Sequence, residues 1–203
     1  MITVKNVYKT FKKKEVLKDI NLEINKGDFI LLQGHNGCGK TMLLRLLCGL
    51  ITPERGSVCG IEGKRLGVII ENPSFIPGES AKDNLKFLAG INKKITDSEI
   101  DEYLKAFDLY DVRGKKVRTF SLGMKQRLAL VQAVMEEPDI LLLDEPFNAI
   151  DDENLNKIFR ILDMYSQNGG TVVIASHGDY RDKCSFNRVV TMSEGGITAQ
   201  SKV

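Results

Sequence analysis

Four short runs along the chain are apolar almost without a break: FILLQ at 29–33, LGVII at 66–70, ILLLD at 140–144 and TVVIAS at 171–176. Strands buried on both faces read this way, so these runs predict the interior of a parallel sheet. The stretches MITVKNVYKTF and LKDINLEINKGD near the N-terminus alternate instead, and INLEI places Ile20, Leu22 and Ile24 on one face. That is the pattern of half-exposed antiparallel strands. RVVTMSEGGITAQ predicts a final pair of strands joined at Gly195-Gly196.

Between 80 and 135 the period becomes helical. Ser80 with Asp83 resembles a capping box, and Thr96 with Glu99 is a better one. Ile100, Tyr103, Leu104 and Phe107 fall at i, i+3, i+4 and i+7, a stripe that reads as core packing. From Leu128 onward the chain is again helical, and Ser121 is a candidate N-cap. No internal repeat or low-complexity linker interrupts the chain. The expected fold is α/β: a mostly parallel sheet, an antiparallel β-subdomain at the N-terminal side, and a helical insertion between two core strands.

Composition narrows the class. With 42% hydrophobic and 28% charged residues the 203-residue chain is an ordinary globular domain, long enough for a full core. A net charge of +2 does not call for nucleic acid, and the KKK run at 12–14 reads as a solvated turn between two strands. No apolar run approaches the roughly 18–20 residues that cross a bilayer, and the first residues lack a signal-peptide core. The protein is therefore expected in the cytoplasm, with cysteines 38, 48, 59 and 184 as free thiols.

GHNGCGKT at 34–41 changes the picture, because it matches the phosphate-loop pattern and lies between the strand FILLQ and the helical MLLRLLCGL. Its glycines let the backbone turn several N–H groups toward phosphate oxygens. Lys40 would reach the β- and γ-phosphates and the Thr41 hydroxyl would ligate Mg²⁺. The chain therefore binds a nucleoside triphosphate. DILLLDEP at 139–146 ends an apolar strand in two carboxylates. Asp144 is placed to hold Mg²⁺ through water, and Glu145 to orient an attacking water. His177 closes the third strand as a hydrogen-bond partner for a γ-phosphate. A second anion site is signalled by FSLGM at 120–124, where Ser121 and a glycine sit at a helix mouth.

With these in place the chain resembles the ATP-binding-cassette (ABC) family of ATPases over essentially its whole length. The resemblance makes GHNGCGKT the Walker A loop, FSLGM the signature, ILLLDEP the Walker B strand, NAID at 148–151 the D-loop and His177 the switch histidine. It implies one nucleotide-binding domain, 1–203, with a RecA-like P-loop NTPase core at 1–71 and 136–203 and a helical subdomain at about 72–135. It assigns adenine stacking to Phe11, and nucleotide contacts to Gly34, Asn36, Gly37, Cys38, Gly39, Lys40, Thr41, Met42, Glu71, Ser121, Gly123 and Asp144. Thr41, Glu71 and Asp144 would hold Mg²⁺, and Glu145 and His177 would be catalytic. The resemblance also explains two anion sites in one chain. Two cassettes meet head to tail, so Ser121, Gly123 and the positive end of that helix serve the partner's γ-phosphate.

The chain departs from the family pattern in places. Glu71 stands where the family has Gln and adds negative charge near the γ-phosphate. Leu122 and Met124 replace Gly and Gln in the signature, and Met42 replaces a hydroxyl residue, removing one phosphate contact. Slow turnover is expected. VIIENPSFIP with FSLGMKQRLALVQAVMEEPDILLLDEP is similar to cassettes of bacterial peptide-antibiotic exporters of the bacitracin, lantibiotic and bacteriocin-immunity type.

The implied function is the ATP-hydrolysing subunit of a membrane exporter, peripheral on the cytoplasmic face through separately encoded permease subunits. The surface at 72–90 would receive the permease. Phe75, Ile76 and Pro77 either contact it or pack the helical insertion. The alternatives are a soluble cofactor-assembly scaffold without a permease and a slow nucleotide-gated regulator. The short stretch after His177 is expected to leave no room for a regulatory domain.

Overall fold

The computed structural model describes residues 1–71, 73–92 and 94–203. Its centre is a six-stranded sheet in the order β5-β6-β7-β3-β8-β9. The strands are β3 (Phe29–Gln33), β5 (Leu66–Ile69), β6 (Ile140–Asp144), β7 (Thr171–Ser176), β8 (Arg188–Ser193) and β9 (Gly196–Lys202). All neighbours run parallel except β9, which returns antiparallel against β8 after a turn at Glu194-Gly195.

The unbroken apolar runs are explained by what covers each face. Leu31, Leu141, Leu143, Val172 and Ile174 point to one side and join a core with the helical residues Leu128, Val131, Leu155 and Phe159. Ile30, Leu32, Leu142, Val173 and Val190 point to the other and meet Leu43, Leu44 and Leu47 of helix α1 (Lys40–Leu47). Both faces are dry through the middle of the sheet, and the buried polar residues Asp144, Thr171 and Ser176 stand at strand ends.

That second core is shared with a three-stranded antiparallel sheet in the order β2-β1-β4, formed by β1 (Ile2–Phe11), β2 (Lys14–Ile24) and β4 (Arg55–Cys59). Ile20, Leu22 and Ile24 face inward together, as their alternation requires. Lys12 and Lys13 form the turn, both with positive φ. Strand β4 lies beyond the sequence expectation: RGSVC is an exposed edge strand with one half-buried side chain, so no apolar pattern announces it.

Between β5 and β6 come α2 (Ala81–Asn92), α3 (Asp97–Ala106), two single turns of 3-10 helix and α4 (Leu122–Val134); α5 (Asp152–Gln167) follows β6. Ile100, Leu104 and Phe107 are buried and Tyr103 packs beside them, so the stripe is core. Helix α4 begins six residues before Leu128, at the Ser121 cap. The two expected capping boxes differ. At α3 the Thr96 hydroxyl accepts from Glu99 N–H at 3.3 Å while the Glu99 carboxylate accepts from Thr96 N–H at 2.8 Å. At α2 the Ser80 hydroxyl accepts from Asp83 N–H, but the Asp83 carboxylate turns to that same hydroxyl, leaving a half box.

Thr96→Ala should cost about 1 kcal/mol, lowering the melting temperature by about 2–4 °C. An unchanged melting curve would mean that packing alone holds α3.

Candidate nucleotide site

The parallel strands all end at the same edge of the sheet, and the chemistry collects there. This is the edge at which open α/β sheets bind ligands. The 34–39 loop follows β3, Glu71 follows β5, Asp144 ends β6 with Glu145 next to it, and His177 follows β7. Strands β3 and β6 are not neighbours, because β7 lies between them. A crevice therefore opens above β7, and side chains from both sides reach across it.

The loop turns through Gly37 and Gly39, with φ of 80° and 114°, conformations that penalise any Cβ. Gly39 then opens α1 without a side-chain cap and with no acidic residue in the first turn. The three later helices with defined N-caps use Thr96, Ser121 and Asp151. An uncapped helix mouth beneath a glycine turn leaves backbone N–H groups for an anion. Within the loop, Asn36 is exposed, whereas the Cys38 thiol is buried in the core, so Cys38 can offer an anion only backbone. Met42 is half-buried against the same core.

Lys40 is buried, and its ammonium donates to the Gly34 carbonyl at 2.6 Å and the His35 carbonyl at 3.4 Å, with Glu145 Oε1 3.9 Å away. Thr41 donates from its hydroxyl to Asp144 Oδ2 at 2.7 Å. Burial pushes the Asp144 carboxyl above the ordinary carboxylate range, and the nearby Glu145 and Glu71 charges add to this. The Thr41 bond and Lys40 oppose it.

Glu145 sits at φ 45°, an unusual backbone for a side chain of its length. Its oxygens are held from β7. Ser176 Oγ lies 3.2 Å from Oε2, while His177 N–H donates to Oε1 at 2.9 Å and ring Nδ1 lies 2.9 Å from the same atom. The Gln126 amide on α4 reaches the Glu145 carbonyl at 3.4 Å. Glu71, also at positive φ, is ion-paired with Arg45 on α1. Ser176, Gln126 and Arg45 were not singled out from the sequence. Ser176 had a signal, since it precedes His177 and must point with Glu145 toward the crevice.

Phe11 ends β1 and is half exposed, with Lys12 Nζ 5.6 Å from its ring centre. Ser121 and Gly123 stand apart. Among the described residues no hydrogen bond or ion pair joins either to the 34–41 loop. Ser121 is exposed and its oxygen accepts from Met124 N–H at 3.2 Å, which leaves its own O–H to donate. Gly123 is bound to its place by shape: a Cβ there would lie 2.3 Å from the carbonyl oxygen of Ala149 in the turn before α5. Arg127 of α4 extends the same contact, donating to the Phe107 and Asp108 carbonyls and to Asn154 at 2.9–3.0 Å.

Thr41 and Asp144 fit a hard divalent cation. Among the described residues no three His, Cys, Asp or Glu side chains form a cage, and Mg²⁺ needs none. It is bound by one or two protein oxygens together with water and ligand phosphates. No helix among the described residues is long and apolar enough to cross a membrane.

A sequence profile of the family described as "ABC transporter" matches residues 17–148. The chain is 41% identical to the uncharacterised ABC transporter ATP-binding protein YybJ of Bacillus subtilis, over 100% of this chain and 97% of that one. It is 32% identical to the lantibiotic transport ATP-binding protein SrtF of Streptococcus pyogenes, over 87% of this chain and 80% of the other. It is also 31% identical to the spermidine/putrescine import ATP-binding protein PotA of Fusobacterium nucleatum, over 97% of this chain and 56% of the other. Among solved structures, the dimeric post-hydrolysis ATP-binding cassette MJ0796 bound to ADP and Pi superposes with a TM-score of 0.89 at 26% identity, covering 100% of this chain and 98% of that one.

Asp144→Asn should keep the Thr41 bond while removing the buried charge. It is expected to raise the melting temperature of nucleotide-free protein by about 2–4 °C for each kcal/mol relieved. An unchanged or lower value would show that the buried carboxylate costs the fold nothing.

Proposed function

Because this chain belongs to the ABC transporter family and is an ATP-binding, ATP-hydrolysing subunit, we propose that it works as a head-to-tail pair of cassettes on separately encoded permease subunits. The observation that carries the pairing is the separation of its two anion sites. The α4 mouth is exposed and capped so that the Ser121 O–H can donate, yet among the described residues no hydrogen bond or ion pair joins it to the phosphate loop of its own chain. A second cassette, a copy or a paralogue, brings the missing half. The dimeric MJ0796 structures support this reading.

In the proposed site Gly34, Asn36, Gly37, Cys38, Gly39 and Met42 surround the phosphates with backbone. Lys40 exchanges its carbonyl partners for the β- and γ-phosphates, and Phe11 stacks on adenine. Thr41, Asp144 and Glu71 hold Mg²⁺, which when bound neutralises charge on the phosphates. Glu145 accepts the proton of the attacking water, and His177 holds both Glu145 and the γ-phosphate in register. Ser121 and Gly123 donate to the partner's γ-phosphate. The RecA-like core is taken as 1–71 and 136–203, with the helical subdomain at about 72–135.

The permease is proposed to dock beside the segment after Glu71. Ile76 and Pro77 are exposed, while Phe75 is half-buried against the helical core, so only part of that triplet is available. Phe87 and Ile91 on α2 add exposed apolar surface, 65% and 70% accessible. Asn72 lies outside the described residues. Export of a peptide antibiotic or similar amphiphile is favoured by the likeness to SrtF, while PotA is an import subunit by name.

Glu145→Gln should lower ATP turnover by about 10²-fold or more. It should leave ATP binding intact and trap an ATP-dependent dimer that co-purifies from native membranes with a polytopic protein. Wild-type turnover would remove Glu145 as base, and recovery of soluble partners alone would remove the permease.

A further inference from the structure

Position 71 raises a difficulty that the nucleotide reading does not resolve by itself. Glu71 follows β5, which pairs with β6, the strand that ends at Asp144, so a carboxylate there stands on the side of the sheet edge proposed for phosphates. Three carboxylates, Glu71, Asp144 and Glu145, would repel one another and the nucleotide. The chain holds one of them aside. Arg45 lies four residues after Thr41, so both side chains project from one face of α1. Thr41 engages Asp144 from that face, and Arg45 engages Glu71. The Arg45 side chain is largely covered, 26% accessible, whereas Glu71 is 63% accessible and free to turn.

We propose that Arg45 is the positioning counter-ion of Glu71: it holds the carboxylate beside α1 and competes with Mg²⁺ for it when MgATP binds. The inference rests on the proposed nucleotide site and concerns only how this chain tolerates Glu at 71. A neutral amide at that position would need no such partner. The carboxylate pairs with a guanidinium on α1, and a cation held by Thr41 and Asp144 would draw on the same oxygens, so it could not serve both fully. Its backbone already adopts the left-handed region, φ 63°, just ahead of the segment leading to α2. A change of partner at Glu71 therefore acts where the helical insertion leaves the sheet.

The test is thermodynamic linkage. Affinity for a fluorescent ATP analogue is measured by titration with saturating magnesium and again with EDTA, in wild type, Arg45→Gln, Glu71→Gln and the double variant. Arg45→Lys serves as a second single variant. Freeing Glu71 by Arg45→Gln should raise the ratio of the two affinities by about threefold, the scale of a partly exposed ion pair. The same substitution in the Glu71→Gln background should leave that ratio unchanged. An equal rise in both backgrounds would overturn the proposal, since Arg45 would then act only as a bulk positive charge. No rise in either background would overturn it too. If wild type failed to bind the analogue at all, the nucleotide reading itself would fall, which is a different result.

Discussion

The hydrogen bond from Thr41 to Asp144, 2.7 Å long, joins helix α1, which follows β3, to the end of β6, a strand that the sheet keeps apart from β3. With β7 between β3 and β6, neither backbone can bring the loop and the acidic end together. Helix α1 does so by folding back over the sheet, and it can only because Leu43, Leu44 and Leu47 find apolar side chains on that face. The uninterrupted hydrophobic strands and the placement of a hard oxygen pair are thus one fact seen at two levels. Without the dry face there is no α1 above it, and without α1 no crevice over β7.

Charge decides what the crevice will accept. Lys40 and Arg45 face Glu71, Asp144 and Glu145, and each cation is held by protein groups rather than by solvent. Asp144 is the buried member, and its carboxyl is pushed upward by loss of water. The acidic side chains outnumber these cations, and a divalent cation would supply positive charge beside them. The Glu145 carboxylate, held by Ser176 and His177 from the neighbouring strand, is aimed before any ligand arrives.

Much of this could be read from residue pattern because the relevant physics is local. Runs such as FILLQ and ILLLD must be strands covered on both faces, and a glycine turn leading into an uncapped helix is an anion site by its own geometry. Elements fixed by tertiary contact were harder. Strand β4 has no apolar signature, since it pairs along an exposed edge of β1. The early start of α4 depends on the Ser121 cap and on the fit of Gly123 under the Ala149 carbonyl, a contact 26 residues away in sequence. Arg45 reads as an ordinary charged residue on an amphipathic helix until Glu71 is seen beside it.

On the proposed pairing, neither anion site is complete in one chain. That pairing is tested most directly by mixing two defective chains, Lys40→Ala and Ser121→Glu, both in a Glu145→Gln background, and following ATP-dependent dimer formation by light scattering. Each alone should remain monomeric with ATP. Mixed, they should dimerise, because Lys40 of one chain and Ser121 of the other then form one intact composite site. A mixture that stays monomeric, while the Glu145→Gln chain alone dimerises, would contradict the account and place both halves of the site in a single chain.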